Sequence, residues 1–203
     1  HVPPGRSAAL EGQAILGVAG GYRAYLTPAA MEDVIGMLCW GGFSLKSRRT
    51  KQSPLMRMAD GLERLDARVS LAENTAGGLA AGFQRDGFVR PGRVQLIQEG
   101  RLADPLVSPR SAREFGVDAN GANAGESPES PELSAGDLAR ADVPKTLDRG
   151  IYLGNLHYLN YSDRTACRLT GMTRFASFWV EDGEIRAPLN VMRFDDTVYR
   201  MLG

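Results

Sequence analysis

The chain has 203 residues, with 24 basic and 24 acidic side chains and a pI near 6.9. That balance argues against a global electrostatic affinity for nucleic acid or anionic membranes. Its two histidines, His1 and His157, and two cysteines, Cys39 and Cys167, exclude a histidine-ligated zinc site, a His-Glu-x-x-His helix and a disulfide framework within the chain.

The remaining composition sets broad limits. At this length the chain forms one large domain or two small ones, able to bury roughly 70% of its unfolded surface. There is no apolar run of about 18 residues, so no transmembrane helix is expected. A signal peptide is not expected either, and the sparse cysteines make a reducing cytoplasm the default compartment. The first residue is His, which allows a fragment or a processed product. Residues 1–21 are read as an N-terminal extension or fragment end, and 22–203 as the domain proper.

Residues 14–19 are an apolar stretch, read as a short strand or a helix end. Tyr22-Arg23-Ala24-Tyr25-Leu26 alternates and ends at Thr27-Pro28. This reads as a strand, then an N-cap threonine with proline at the first helical position. Met31, Val34, Ile35 and Leu38 share one helical face, and Gly41-Gly42 stops the helix. Residues 44–57 hold Lys46, Arg48, Arg49, Lys51 and Arg57 with no acid. They read as a solvated loop or interface edge, or alternatively as a phosphate-binding patch. Aromatic residues that could stack on bases are missing from the run.

Residues 68–71, 87–89 and 94–97 read as successive antiparallel strands, with Glu99-Gly100 turning toward Arg101-Leu102. Ser108-Pro109 can open a short helix that closes near Phe115-Gly116. Residues 118–136 carry Leu133 as their only large apolar side chain. Such a stretch buries little apolar surface, so a long mobile loop is expected. Further on, Asp182-Gly183 between two strand-like runs is the strongest hairpin signal. Pro188 places its strand at an edge or ends it. Asp195 or Asp196 can cap a terminal helix through Val198 and Tyr199. The fold class expected is α+β and strand-rich, an antiparallel, barrel-like sheet domain with a few flanking helices.

Gly150-Ile151-Tyr152-Leu153, Leu169-Thr170-Gly171 and Phe178-Trp179-Val180-Glu181-Asp182-Gly183-Glu184-Ile185 followed by Pro188 resemble the C-terminal domain of the PmbA/TldD family, PmbA (TldE) branch. Residues 25–30 and 85–100 resemble the opening strand and helix and the paired strands of that domain. The resemblance spans residues 22–190. It implies a cytoplasmic protein tied to proteolysis and peptide maturation. It also implies that a zinc ion sits on a TldD-type partner subunit, or on an N-terminal part outside this chain, and that unfolded peptide is held as an added strand. An older name links the family to DNA gyrase. No residue here matches the family's zinc helix, and Cys167, in Ala166-Cys167-Arg168-Leu169, does not align with the metal cysteine of the TldD branch. Catalytic and metal residues are therefore expected to be absent. Thr170, Gly171 and Arg174 are the candidates for substrate binding.

The leading expectation is a substrate-holding, non-metal-binding half of a metallopeptidase complex, pairing with a TldD-like subunit or with itself. The alternatives are a nucleic-acid or gyrase-associated module using residues 46–57, and a fragment of a catalytic subunit whose zinc helix lies upstream. An independent hydrolase would have to draw on Asp163, Glu181, Asp182 and Glu184. The last three sit at a hairpin tip, where turn formation explains them. His157 is read as a hydrogen-bonded strand histidine and Cys167 as a small buried thiol.

Overall fold

A computed structural model describes residues 20–78 and 80–203. The expected strand or helix end at 14–19, and nearly all of the N-terminal extension, lie outside them. Among the described residues, three open sheets have the strand orders β1 (Ala24–Leu26), β6 (Gly150–Leu153), β9 (Phe178–Glu181), β10 (Glu184–Pro188); β11 (Arg193–Thr197), β8 (Arg168–Thr173), β7 (Leu156–Asp163); and β4 (Arg101–Leu102), β3 (Arg93–Gln98), β2 (Leu71–Asn74), β5 (Pro131–Leu133). Each has two end strands, so the antiparallel-rich, strand-rich expectation holds without closure into a barrel. The chain forms two compact units.

The first unit comprises residues 20–35, 137–160 and 170–195. Strand β1 (Ala24–Leu26) runs parallel to β6 (Gly150–Leu153), and the rings of Tyr25 and Tyr152 lie 5.1 Å apart. Helix α1 (Pro28–Cys39) begins as its sequence dictates. Thr27 Oγ1 accepts from the Ala30 amide at 3.3 Å and donates to the Gly154 carbonyl at 2.7 Å. The cap thus fixes the helix start to the loop after β6. Helix α5 (Val143–Leu147) precedes β6. Strands β9 (Phe178–Glu181) and β10 (Glu184–Pro188) pair antiparallel with Glu181 opposite Glu184. Asp182 and Gly183 both take positive φ, 53° and 71°, the two-residue turn that matches strand twist. Strand β10 ends at Pro188 on the sheet margin, where a missing N–H costs no ladder bond. Ala30, Val34, Ile151, Leu153, Leu156 and Val180 are among its buried apolar side chains.

The second unit comprises residues 36–136, 161–169 and 196–203. Its sheet is built on β2 (Leu71–Asn74) and β3 (Arg93–Gln98), with β4 (Arg101–Leu102) and β5 (Pro131–Leu133) at its ends. Glu99 and Gly100 turn β3 into β4 with φ of 48° and 75°. Phe43, Leu55, Leu65, Leu71, Leu96 and Ile97 are among the most deeply buried large side chains of its core. Helix α4 (Pro109–Phe115) has Ser108 as N-cap and left-handed Gly116 at its end, as the residues predict.

Several expectations need correction. The basic stretch is not a loop: Leu45–Arg49 forms α2 and Met56–Ala59 forms α3, because Ser44 caps the first and Leu45, Leu55 and Met58 are drawn into the core. Residues 87–89 form no strand of their own. Phe83 and Val89 make a single bridge in a short hairpin. The terminal helix α6 (Val198–Met201) is capped by Thr197, whose hydroxyl accepts from the Arg200 amide at 3.2 Å. Asp196 instead accepts from Thr197 N–H at 2.8 Å and pairs with Arg200 at 3.4 Å.

Residues 118–136 owe their placement to polar groups. Strand β5 pairs with β2, with Leu133 opposite Leu71. Asn120 accepts from Val107 N–H and donates to the Pro105 carbonyl, both at 2.8 Å. The Glu126 side chain is buried, with the residue 1% exposed. Its Oε2 accepts from Ser44 Oγ at 2.6 Å and Lys46 N at 2.9 Å. Its Oε1 accepts from Ser108 N at 2.9 Å and Ser108 Oγ at 3.0 Å. One carboxylate therefore sits at the start of both α2 and α4.

Candidate functional site

Strand β8 (Arg168–Thr173) carries Thr170 and Gly171 at the centre of its sheet, between β11 (Arg193–Thr197) and β7 (Leu156–Asp163). Thr170 Oγ1 donates to the Phe194 carbonyl at 3.1 Å and accepts from Arg193 Nε at 3.2 Å. Gly171 is buried. A Cβ there would lie 2.9 Å from two Phe194 ring atoms and 3.0 Å from Leu159 Cδ1, so the glycine admits the neighbouring side chains. Thr170 and Gly171 are thus joined through Phe194.

Arg174 lies past the strand end and belongs to a different cluster. Its amide donates to the Asn155 carbonyl at 3.0 Å, and its guanidinium sits 4.9 Å from the Phe175 ring centre. Phe175 is 71% exposed. No hydrogen bond or ion pair among the described residues links Arg174 to Thr170. Since β8 is paired on both sides, an added strand would have to join this sheet at β7 or β11.

The remaining chemistry-bearing residues are occupied structurally. His157 lies on β7, half-buried, with its ring 4.3 Å from that of Tyr158. Asp163 Oδ1 accepts from the amides of Thr165 and Ala166 at 2.9 and 3.1 Å, which makes it a turn residue. At the hairpin, Glu184 and Asp182 pair with Arg186 at 2.8 and 3.2 Å, and Glu181 with Arg149 at 3.7 Å. In the basic stretch, Lys51 pairs with Asp60 and Arg57 with Glu63, at 3.3 and 3.1 Å.

Both cysteines are free and buried. Burial, helped by the Glu73 charge, pushes the Cys39 thiol up to about 12. Burial also pushes Cys167 up to about 12, against the opposing pull of Arg164. Among the described residues, no group of three or more His, Cys, Asp and Glu side chains is placed to hold a metal ion. At pH 8 both thiols are expected to resist a thiol-specific disulfide reagent until denaturant is added. Rapid reaction of either in the native protein would show that its thiol is accessible.

No described helix is long and apolar enough to cross a membrane. The fold matches solved structures of about twice the length. A candidate DNA gyrase modulator from Thermotoga maritima is 18% identical, with 93% of this chain and 44% of that one aligned at a TM-score of 0.79. TldE from Thermococcus kodakarensis is 15% identical, with 94% and 45% aligned at 0.77. A second candidate gyrase modulator, from Bacteroides thetaiotaomicron, is 16% identical, with 93% and 42% aligned at 0.74. No curated protein matches the chain. The family model for the PmbA/TldA metallopeptidase C-terminal domain matches residues 19–203. The chain belongs to that family. It spans less than half the length of the solved structures it resembles.

Proposed function

We propose that this domain is the PmbA/TldE-like, substrate-holding half of a cytoplasmic metallopeptidase complex that acts in proteolysis and peptide maturation. The zinc ion would reside on a TldD-like subunit or on a part of the protein outside these residues. The observation that carries this reading is the match of residues 19–203 to the C-terminal domain of the metallopeptidase family. Both cysteines are buried, with burial pushing each thiol up, and the strand histidine packs against Tyr158. The likeness to the TldE fold supports the assignment to that branch.

The substrate would be unfolded peptide. The end strands of an antiparallel sheet present N–H and C=O groups that an extended chain can pair with regardless of its sequence. Thr170, Gly171 and Arg174 are the proposed contributors. Thr170 and Gly171 act by setting the β8–β11 spacing, and Arg174 by offering an exposed charge above Phe175.

The test is proteolysis of an unstructured peptide by this chain alone, by a zinc-loaded TldD-type subunit alone, and by the mixture. Activity that appears or rises strongly only in the mixture supports the proposal. Zinc-dependent activity of the isolated chain would sink it.

A further inference from the structure

A cleft of about 720 Å³ opens in the second unit, between the hairpin that carries Gln84, Asp86 and Phe88 and the helix that carries Arg110, Arg113 and Glu114. That volume lies within the range of ordinary ligand sites. Arg110 and Arg113 are exposed and stand three residues apart on α4, so their side chains emerge on neighbouring parts of one face. Neither forms an ion pair with a described residue. The hairpin wall is held in place from within. Gln84 N–H donates to the Phe88 carbonyl, and Gly87 N–H donates to the Gln84 carbonyl, both at 2.9 Å. Gln84 is 3% exposed, and its Oε1 is taken by the Asp86 amide at 2.9 Å. No described residue accepts from its side-chain nitrogen. Phe88 is 48% exposed.

The geometry points to a second ligand site here, for a carboxylate-bearing stretch of unfolded peptide. The carboxylate lies between Arg110 and Arg113, a backbone carbonyl accepts from the Gln84 amide, and an adjacent apolar side chain rests on Phe88. Two guanidinium groups offer several N–H donors to one carboxylate, which makes the contact strong and selective. Asp86 and Glu114 line the same cleft; their charges disfavour a polyanion and so set a peptide apart from a nucleic acid.

The site shares only its ligand class with the proposed function, and its test needs no zinc-bearing partner. Fluorescence anisotropy of the chain with a short labelled, unstructured peptide containing Leu-Glu is compared with the same peptide containing Leu-Lys. The Leu-Glu peptide should bind saturably and at least about tenfold more tightly, the scale of one charge-assisted hydrogen bond. R110A/R113A should abolish the preference, R110K/R113K should keep part of it, and F88A should weaken both peptides. Circular dichroism should show all three variants folded, because these side chains are exposed. Equal affinity for the two peptides, no saturable binding, or an unchanged preference in R110A/R113A overturns the inference. So does displacement of the peptide by a nucleoside triphosphate at lower concentration than by unlabelled peptide. If partner-dependent proteolysis fails while this charge preference survives, the failure belongs to the proposed function and not to the cleft.

Discussion

Replacing Glu126 with alanine should destabilise the protein by about 3 kcal/mol or more, because several buried donors lose their acceptor at once. The donors are the hydroxyls of Ser44 and Ser108 and the amides of Lys46 and Ser108. They stand at the first turns of two helices, where a negative charge is favoured. The effect also depends on pH. Burial alone would raise the Glu126 pKa, but hydrogen bonds from serine hydroxyls, Ser44 among them, and from the Ser108 and Lys46 amides outweigh it and leave the group below the usual carboxylate range. A depressed folded-state pKa gives stability that is complete above the unfolded value of about 4.3 and is lost as pH falls through the folded value. Glu129, lowered chiefly by its hydrogen bond with Arg90, acts in the same direction. Urea midpoints measured from neutral to acid pH should therefore fall more steeply in the wild type than in Glu126→Gln. Parallel slopes would remove Glu126 from the acid response.

The second large effect is expected at Gly100. Its φ is 75°, and an added Cβ would lie 2.2 Å from the Leu65 carbonyl oxygen and 2.7 Å from that of Asp66. These are backbone atoms, held by the Leu65 N–H to Gly100 carbonyl bond at 2.9 Å and the Gly100 N–H to Val69 carbonyl bond at 2.8 Å. Gly100→Ala therefore combines a left-handed backbone penalty of about 1–2 kcal/mol with a clash that only backbone movement relieves. A Tm loss of about 10 °C is expected for a chain of this size. Gly116→Ala is the control, because its φ is 65° yet nothing lies within 4 Å of the added atom. It should show the backbone penalty alone. Equal losses for the two variants would mean that the Leu65 contact is not tight.

Local chemistry was legible in the residues wherever a turn or cap is short-range. Thr27-Pro28, Asp182-Gly183, Glu99-Gly100 and the span from Ser108 to Gly116 each announce their geometry, and each forms it. The stretch 118–136 was legible only in part. Its poverty in apolar side chains is visible in its letters. That Glu126 finds Ser44 82 residues away is not, because a charged residue in a polar run gives no periodicity from which burial could be read. The basic stretch misled for the opposite reason: its charges mask Leu45, Leu55 and Met58, which are buried.

The proposed peptide residues came from a family resemblance, and their pairing could not be anticipated. Phe194, which joins Thr170 to Gly171, lies in a strand that carries no motif. The cleft beside α4 was equally silent, since only the fold brings Phe88 and Arg113 to one cleft.

The clamp on Glu126 also has a kinetic consequence. Its bond to Ser44 closes a separation of 82 residues, while its bonds to Ser108 close only 18. Long closures are entropically costly before they are rewarded. The α4 side of the clamp is therefore set to form before the α2 side. The bond to Ser44 then acts as a late lock, whose loss is felt mainly as faster unfolding and little as slower folding.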